Sequence, residues 1–203
     1  MSKSLQALVD ETVQLAIRSF DPCDPTIALR LDSELERVEN VTLAAGPVEE
    51  TRDLLGNLRE TRIWLAYERG DFQAVIRWSQ DFISSYPIAR PDSHNVMLFR
   101  LNARHALGDH DREIAEALAY AKLVQTEAEA FVMLLGDVAT RHPGSLTVDD
   151  QLSAKVTSAV ESLNSRGFSL PSAWALPEAE HVIVTAATEV RRAYRLRTQA
   201  ILS

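Results

Sequence analysis

Glycine and proline are scarce: seven and eight among 203 residues, below the roughly 12% that average chains devote to the two. So few turn-makers cannot connect many short strands, which argues against β-sandwiches and barrels. Cys23 is the only cysteine, which excludes an internal disulfide and fits a reducing compartment. No run approaches 18 apolar residues, so no membrane span is expected. After Lys3 the first apolar stretch meets Asp10 and Glu11 before a signal-peptide core can form, and the expected location is cytoplasmic. The glycine-rich dinucleotide loop, the P-loop, HExxH and GxSxG are also missing, and with them the signatures of the chemistries they serve.

What is present is a globular composition, 46% apolar and 25% charged, enough to build a core rather than a disordered chain. The net charge of −8 argues against general nucleic-acid binding. The charge is uneven: residues 1–60 carry 12 acids against 6 bases, residues 105–190 carry 13 against 5, and Arg191, Arg192, Arg195 and Arg197 close the chain. Solvated helix faces account for such runs, with arginines suited to a helix C-terminus. An acidic surface offered to a basic partner is the functional alternative.

Between the clustered breakers lie long segments of helical period. Leu5, Leu8, Val9, Val13, Ala16, Ile17 and Phe20 step by threes and fours over 4–20. Asp24 is placed to cap a second helix with Pro25 in its first turn, and Pro47 opens a third that ends at Gly70. A fourth runs from Phe72 to the stop at Pro87, and a fifth from about Asp92 to Leu107. A sixth segment extends from Asp109 to Arg141 with a break near Thr126. Thr147 and Asp150 have capping-box spacing for a helix to Asn164. Residues 165–177 read as irregular, and Pro177 starts a last helix to Leu202. The expected fold is all-α: eight to nine helices paired as antiparallel hairpins, in an α-solenoid or a compact bundle. One helical domain over 1–203 is expected, with a hairpin at 1–45, a central block at 46–142 and C-terminal helices at 143–203.

An internal repeat stands out. Leu65-Ala66-Tyr67-Glu68-Arg69-Gly70-Asp71-Phe72 and Ala103-Arg104-His105-Ala106-Leu107-Gly108-Asp109-His110 each set Gly-Asp between two helices. Glycine supplies a left-handed end for one helix, and Asp caps the next. With the stretch from Gly70 to Tyr86-Pro87, this part of the chain resembles tetratricopeptide (TPR) repeats over about residues 56–124. The 38-residue offset between the hinges exceeds the usual 34, and Val75, Phe82 and Ile63 stand where the family packs small residues. The resemblance implies helical hairpins whose first helices line a ligand-facing groove. Carried over, the groove positions are Asn57, Glu60, Trp64, Tyr67 and Glu68, then Asn95, Leu98, Asn102 and His105. Trp64 and Tyr67 also suit a core. The family's carboxylate-clamping Lys and Arg are replaced here by Glu60 and Trp64, so a terminal-carboxylate clamp is not expected.

Catalytic readings are thin. Glu178 and His181 have Glu-x-x-His spacing, which bundle di-iron sites use in pairs, and no second copy exists. His110-Asp111, with His94 or His105 upstream, would suit metal-assisted hydrolysis, but capping at a hinge explains the pair. Cys23 lies between Asp21 and Asp24, which disfavour a thiolate. The expected function is therefore a non-enzymatic helical-repeat module, without cofactor or metal, that binds another protein as adaptor, chaperone or inhibitor. A bacterial immunity protein or secretion chaperone covering a basic toxin or effector is the narrower form. The rival is an enzyme using His94, His105, His110 and Asp111. Neither nucleic acid nor membrane is an expected partner. Within the central hairpin, Phe72 and Ile76 are the expected packing residues.

Overall fold

The computed structural model describes residues 4–21, 24–46, 48–85, 91–123 and 127–202. Among them are nine α-helices and no strand: α1 Leu5–Ser19, α2 Pro25–Ala45, α3 Val48–Glu68, α4 Phe72–Ser85, α5 Pro91–Ala106, α6 His110–Leu123, α7 Ala128–Arg141, α8 Asp150–Ser165 and α9 Ala179–Leu202. A 3-10 turn, Leu176–Glu178, precedes α9. Pro47, Pro87 and Thr126, taken as breakers from the sequence, lie outside the described residues. The chain groups into two compact units, Met1–Gly108 and Asp109–Ser203. The division falls inside the 46–142 block that the sequence reads as one run of hairpins.

The caps follow from local chemistry. Ser4 accepts the Ala7 N–H at 3.2 Å to start α1, and Asp24 accepts the Thr26 N–H at 2.9 Å to start α2. At the α3–α4 turn Gly70 has φ +73°, and the Asp71 N–H donates back to Ala66 at 2.9 Å. The Asp71 carboxylate then accepts the Ala74 N–H at 3.1 Å, so the Gly-Asp pair ends one helix and begins the next. Gly108 repeats the φ of +73° at the end of α5. One cap differs from the sequence reading: Asp149, not Thr147, caps α8, accepting the Leu152 N–H at 2.9 Å. Asp149 precedes the helix directly, whereas Thr147 lies two residues further out.

In the first unit α3 is buried on two sides. Leu58 and Leu65 face a cluster with Val9 and Ala16 of α1 and Leu31, Leu35 and Val38 of α2. Ile63 and Ala66 face a second cluster with Ala74, Val75 and Phe82 of α4 and Val96 and Ala103 of α5. Polar residues between the two stripes tie α3 to α2: Arg62 donates to Asp32 at 2.9 Å and to Glu39 at 3.1 Å, and Arg59 donates to Glu39 at 2.7 Å. The hairpin core is centred on Val75 and Phe82, fully or almost fully buried. Phe72 and Ile76 are only half-buried against it, a correction to the expected packing, because Phe72 starts its helix at the hinge edge.

In the second unit α7 is the inner helix. Phe131, Val132, Leu134, Leu135, Val138 and Ala139 are buried along it, and α9 lies close because Gly136 faces Ala187. Val182, Ile183, Ala186 and Val190 complete that seam, so the Val182–Val184 run is helical, as its surroundings require. The Lys155 ammonium donates to the Ala121 and Lys122 carbonyls at 3.0 and 2.6 Å. It thereby places a cation where the macrodipole of α6 favours one.

Two substitutions test this packing by urea denaturation. Phe82→Ala should cost about 3–5 kcal/mol, and Phe72→Ala clearly less; equal losses would place Phe72 in the core after all. At Gly136 a Cβ would stand 2.3 Å from the Ala187 Cβ. Gly136→Ala gains about 1 kcal/mol of helix propensity, and the overpacking costs about 1–3 kcal/mol. A net loss is expected, relieved when Ala187→Gly is added. Stabilisation by Gly136→Ala alone would show that α9 yields freely.

Candidate functional site

The sequence-derived groove positions all belong to the first unit. Residues 57, 60, 64, 67 and 68 repeat by threes and fours along α3, and 95, 98, 102 and 105 do so along α5, so each set forms one stripe. The structure brings Asn57, Glu60 and Trp64 together with Val13 and Ile17 of α1 and Phe99 of α5, around an open concavity of about 480 Å³. The Asn95 amide donates to Glu60 at 2.9 Å, tying α5 to α3 across the floor. Trp64 meets Phe20 edge to face with ring centroids 5.3 Å apart, and its indole N–H donates to Glu68 at 3.1 Å. Ile17 is 53% exposed.

The remaining positions divide. Tyr67 packs between Phe72 and Phe99, with centroids 6.0 and 5.3 Å away, and supports the α3–α4–α5 core rather than lining the concavity. Asn95 and Glu68 are exposed; Leu98, Asn102 and His105 are half-buried on α5. Val13 and Ile17 carry the wall that the sequence reading lacks. Their signal was present in the helical period of 4–20, but that period shows only that α1 is amphipathic, not which neighbour it leans on.

The polar residues weighed for catalysis are mostly scattered. His94 is buried in α5 and Asp111 is exposed on α6. Glu178 accepts the Ala175 N–H at 2.9 Å, Glu180 accepts the Gly144 and Leu146 N–H groups at 2.6 and 3.1 Å, and His181 is exposed. The Glu-x-x-His run thus anchors the start of α9. His110 has different neighbours in the second unit: Glu113, one turn on, and His142, just past the end of α7. The sequence reading missed both. His-x-x-Glu on a helix is the local signal for the first, and His142 is 29 residues from Glu113.

No protein-family model, curated protein or solved structure matches the chain. No helix among the described residues is long and apolar enough to cross a membrane.

Burial holds the His94 imidazole below its ordinary value. The unfolded chain therefore takes up a proton at His94 before the folded chain does. Stability should be constant from this source above about pH 6.5, fall as pH drops below it, and level off below the folded value. His94→Gln should flatten part of that fall when urea midpoints are compared at neutral and mildly acidic pH. An unchanged slope would mean that His94 titrates alike in both states.

Proposed function

We propose that the protein is a non-enzymatic helical module that binds a segment of another protein in the groove between α1, α3 and α5. The occupant is an amphipathic helix with an apolar stripe flanked by Lys or Arg. One observation carries this reading: Val13, Ile17, Trp64 and Phe99 meet around a single open concavity that also holds Glu60. An apolar stripe supplies the area and an acidic rim selects for basic flanks. Residues 1–60, which supply α1 and Glu60, carry 12 acids against 6 bases. The sequence resemblance to TPR hairpins is in keeping with the same use, since in such hairpins the first helix of each pair lines the groove, the place that α3 and α5 would hold here. A narrower form, favoured by the net charge of −8, is an immunity protein or secretion chaperone that covers a basic toxin or effector.

Site-specific photo-crosslinking in cells tests the groove. Benzoylphenylalanine in place of Ile17 should trap one partner protein through a basic amphipathic segment. The same group in place of Leu29, 61% exposed on α2, should not. Glu60→Lys should weaken capture at least tenfold, about 1.4 kcal/mol, while the fold survives the loss of its exposed hydrogen bond from Asn95. Added salt should narrow the difference. Equal adducts at both positions, or capture indifferent to Glu60→Lys, would move binding to another face.

A further inference from the structure

The second unit holds a cluster that the groove does not use. His110 opens α6, Glu113 completes its first turn, and His142 follows the last residue of α7. The Glu113 side chain is fully buried. Its two carboxylate oxygens have different neighbours. Oε1 lies 2.6 Å from a terminal nitrogen of Arg141. Oε2 lies 2.8 Å from His142 Nε2 and 3.7 Å from His110 Nδ1, and the two imidazole centroids are 4.8 Å apart. Two imidazoles thus converge on one oxygen, while the other oxygen is engaged by a guanidinium.

We propose that His110, Glu113 and His142 form a binding site for a divalent transition metal of the Zn2+ class. Donors at about 2.0–2.2 Å around a tetrahedral centre stand about 3.4 Å from one another. The donor atoms here all lie within 4.8 Å of one another, so small side-chain rotations close the set. Imidazole with carboxylate suits Zn2+ and its neighbours rather than Ca2+ or Mg2+, which prefer oxygen alone. Arg141 is the outer partner that orients the ligating carboxylate through its second oxygen. The ion would pin the first turn of α6 to the end of α7, and three protein ligands leave a position for a further donor.

The competing arrangement is a proton rather than a metal, with His142 as imidazolium paired to Glu113. Zn2+ titration by calorimetry and Co2+ visible absorption, on the untagged full chain, separate the two. One equivalent of Zn2+ should bind and raise the melting temperature. Co2+ should give the intense absorption of a four- or five-coordinate site. His110→Gln and His142→Gln should each weaken binding at least ~10-fold, the lower end of what even outer partners of a metal contribute. His181→Gln, on the exposed face of α9, should leave affinity unchanged. His110 is 47% exposed, so His110→Gln keeps the fold and decides the question if His142→Gln does not. Absence of Zn2+ binding, wild-type affinity in His110→Gln, or loss of binding in His181→Gln would each overturn the site. Because the groove lies in the other unit, failure here leaves the partner-binding reading intact, and the reverse holds too.

Discussion

The burial of α3 on two sides is the constraint around which the first unit is built. A helix with one apolar stripe can be covered by one neighbour, but α3 presents Leu58 and Leu65 to one cluster and Ile63 and Ala66 to another. Four helices must then surround it, and its polar residues are confined to the strips left between. One strip carries Arg59 and Arg62, which are fixed to the carboxylates of α2. The other carries Asn57, Glu60 and Trp64, which form the groove floor. The groove is therefore a consequence of how α1 and α5 flank α3. Its polar residues are held in place by an inner helix, which is the rigidity that recognition requires.

The second unit solves a related problem with smaller residues and buried charge. α7 approaches α9 where Gly136 meets Ala187. Near that seam sits a buried acid that cannot be left unpaired. Glu129, 5% exposed, accepts from the Tyr194 hydroxyl at 2.7 Å and lies 2.9 Å from Arg166. Asp137 pairs with Arg191, so at least one of the closing arginines has a structural partner. Glu129 is matched by ordinary donors, whereas Glu113 faces two imidazoles on one oxygen. That difference between two buried glutamates, rather than the mere presence of histidines, is what the proposed metal site rests on.

Helix existence and hinge chemistry were legible in the sequence because they depend on neighbours in the chain. Gly70 and Gly108 needed a left-handed φ, and both have it; Asp24 and Pro25 needed only the next turn of helix. What depends on tertiary packing was less legible. The period of α4 runs through both Phe72 and Phe82, the sequence alone favours Phe72 and Ile76, and only the packing of α3 and α5 decides for Phe82. Tyr67 shares a stripe with Trp64, yet Phe72 and Phe99 enclose it. The wall supplied by Val13 and Ile17, and the meeting of His142 with Glu113, join residues 29 or more apart. No local pattern encodes such pairings.

The chemistry of Glu113 also bears on whether a metal there would serve catalysis or architecture. Metal-assisted hydrolysis needs a group that takes a proton from water beside the ion. Glu113 is poorly placed for that, because Arg141 holds one oxygen and the imidazoles face the other. Asp111, the acid named with His110 in the enzymatic reading, is exposed in the same first turn. It lies one residue from His110, and such neighbours point to different sides of a helix. An ion held by His110, Glu113 and His142 would instead close the path from residue 113 to residue 142. It would draw the start of α6 to the end of α7 and restrict the unfolded chain, as a metal clip does. A structural ion in one unit and a recognition groove in the other are compatible with a protein whose work is binding.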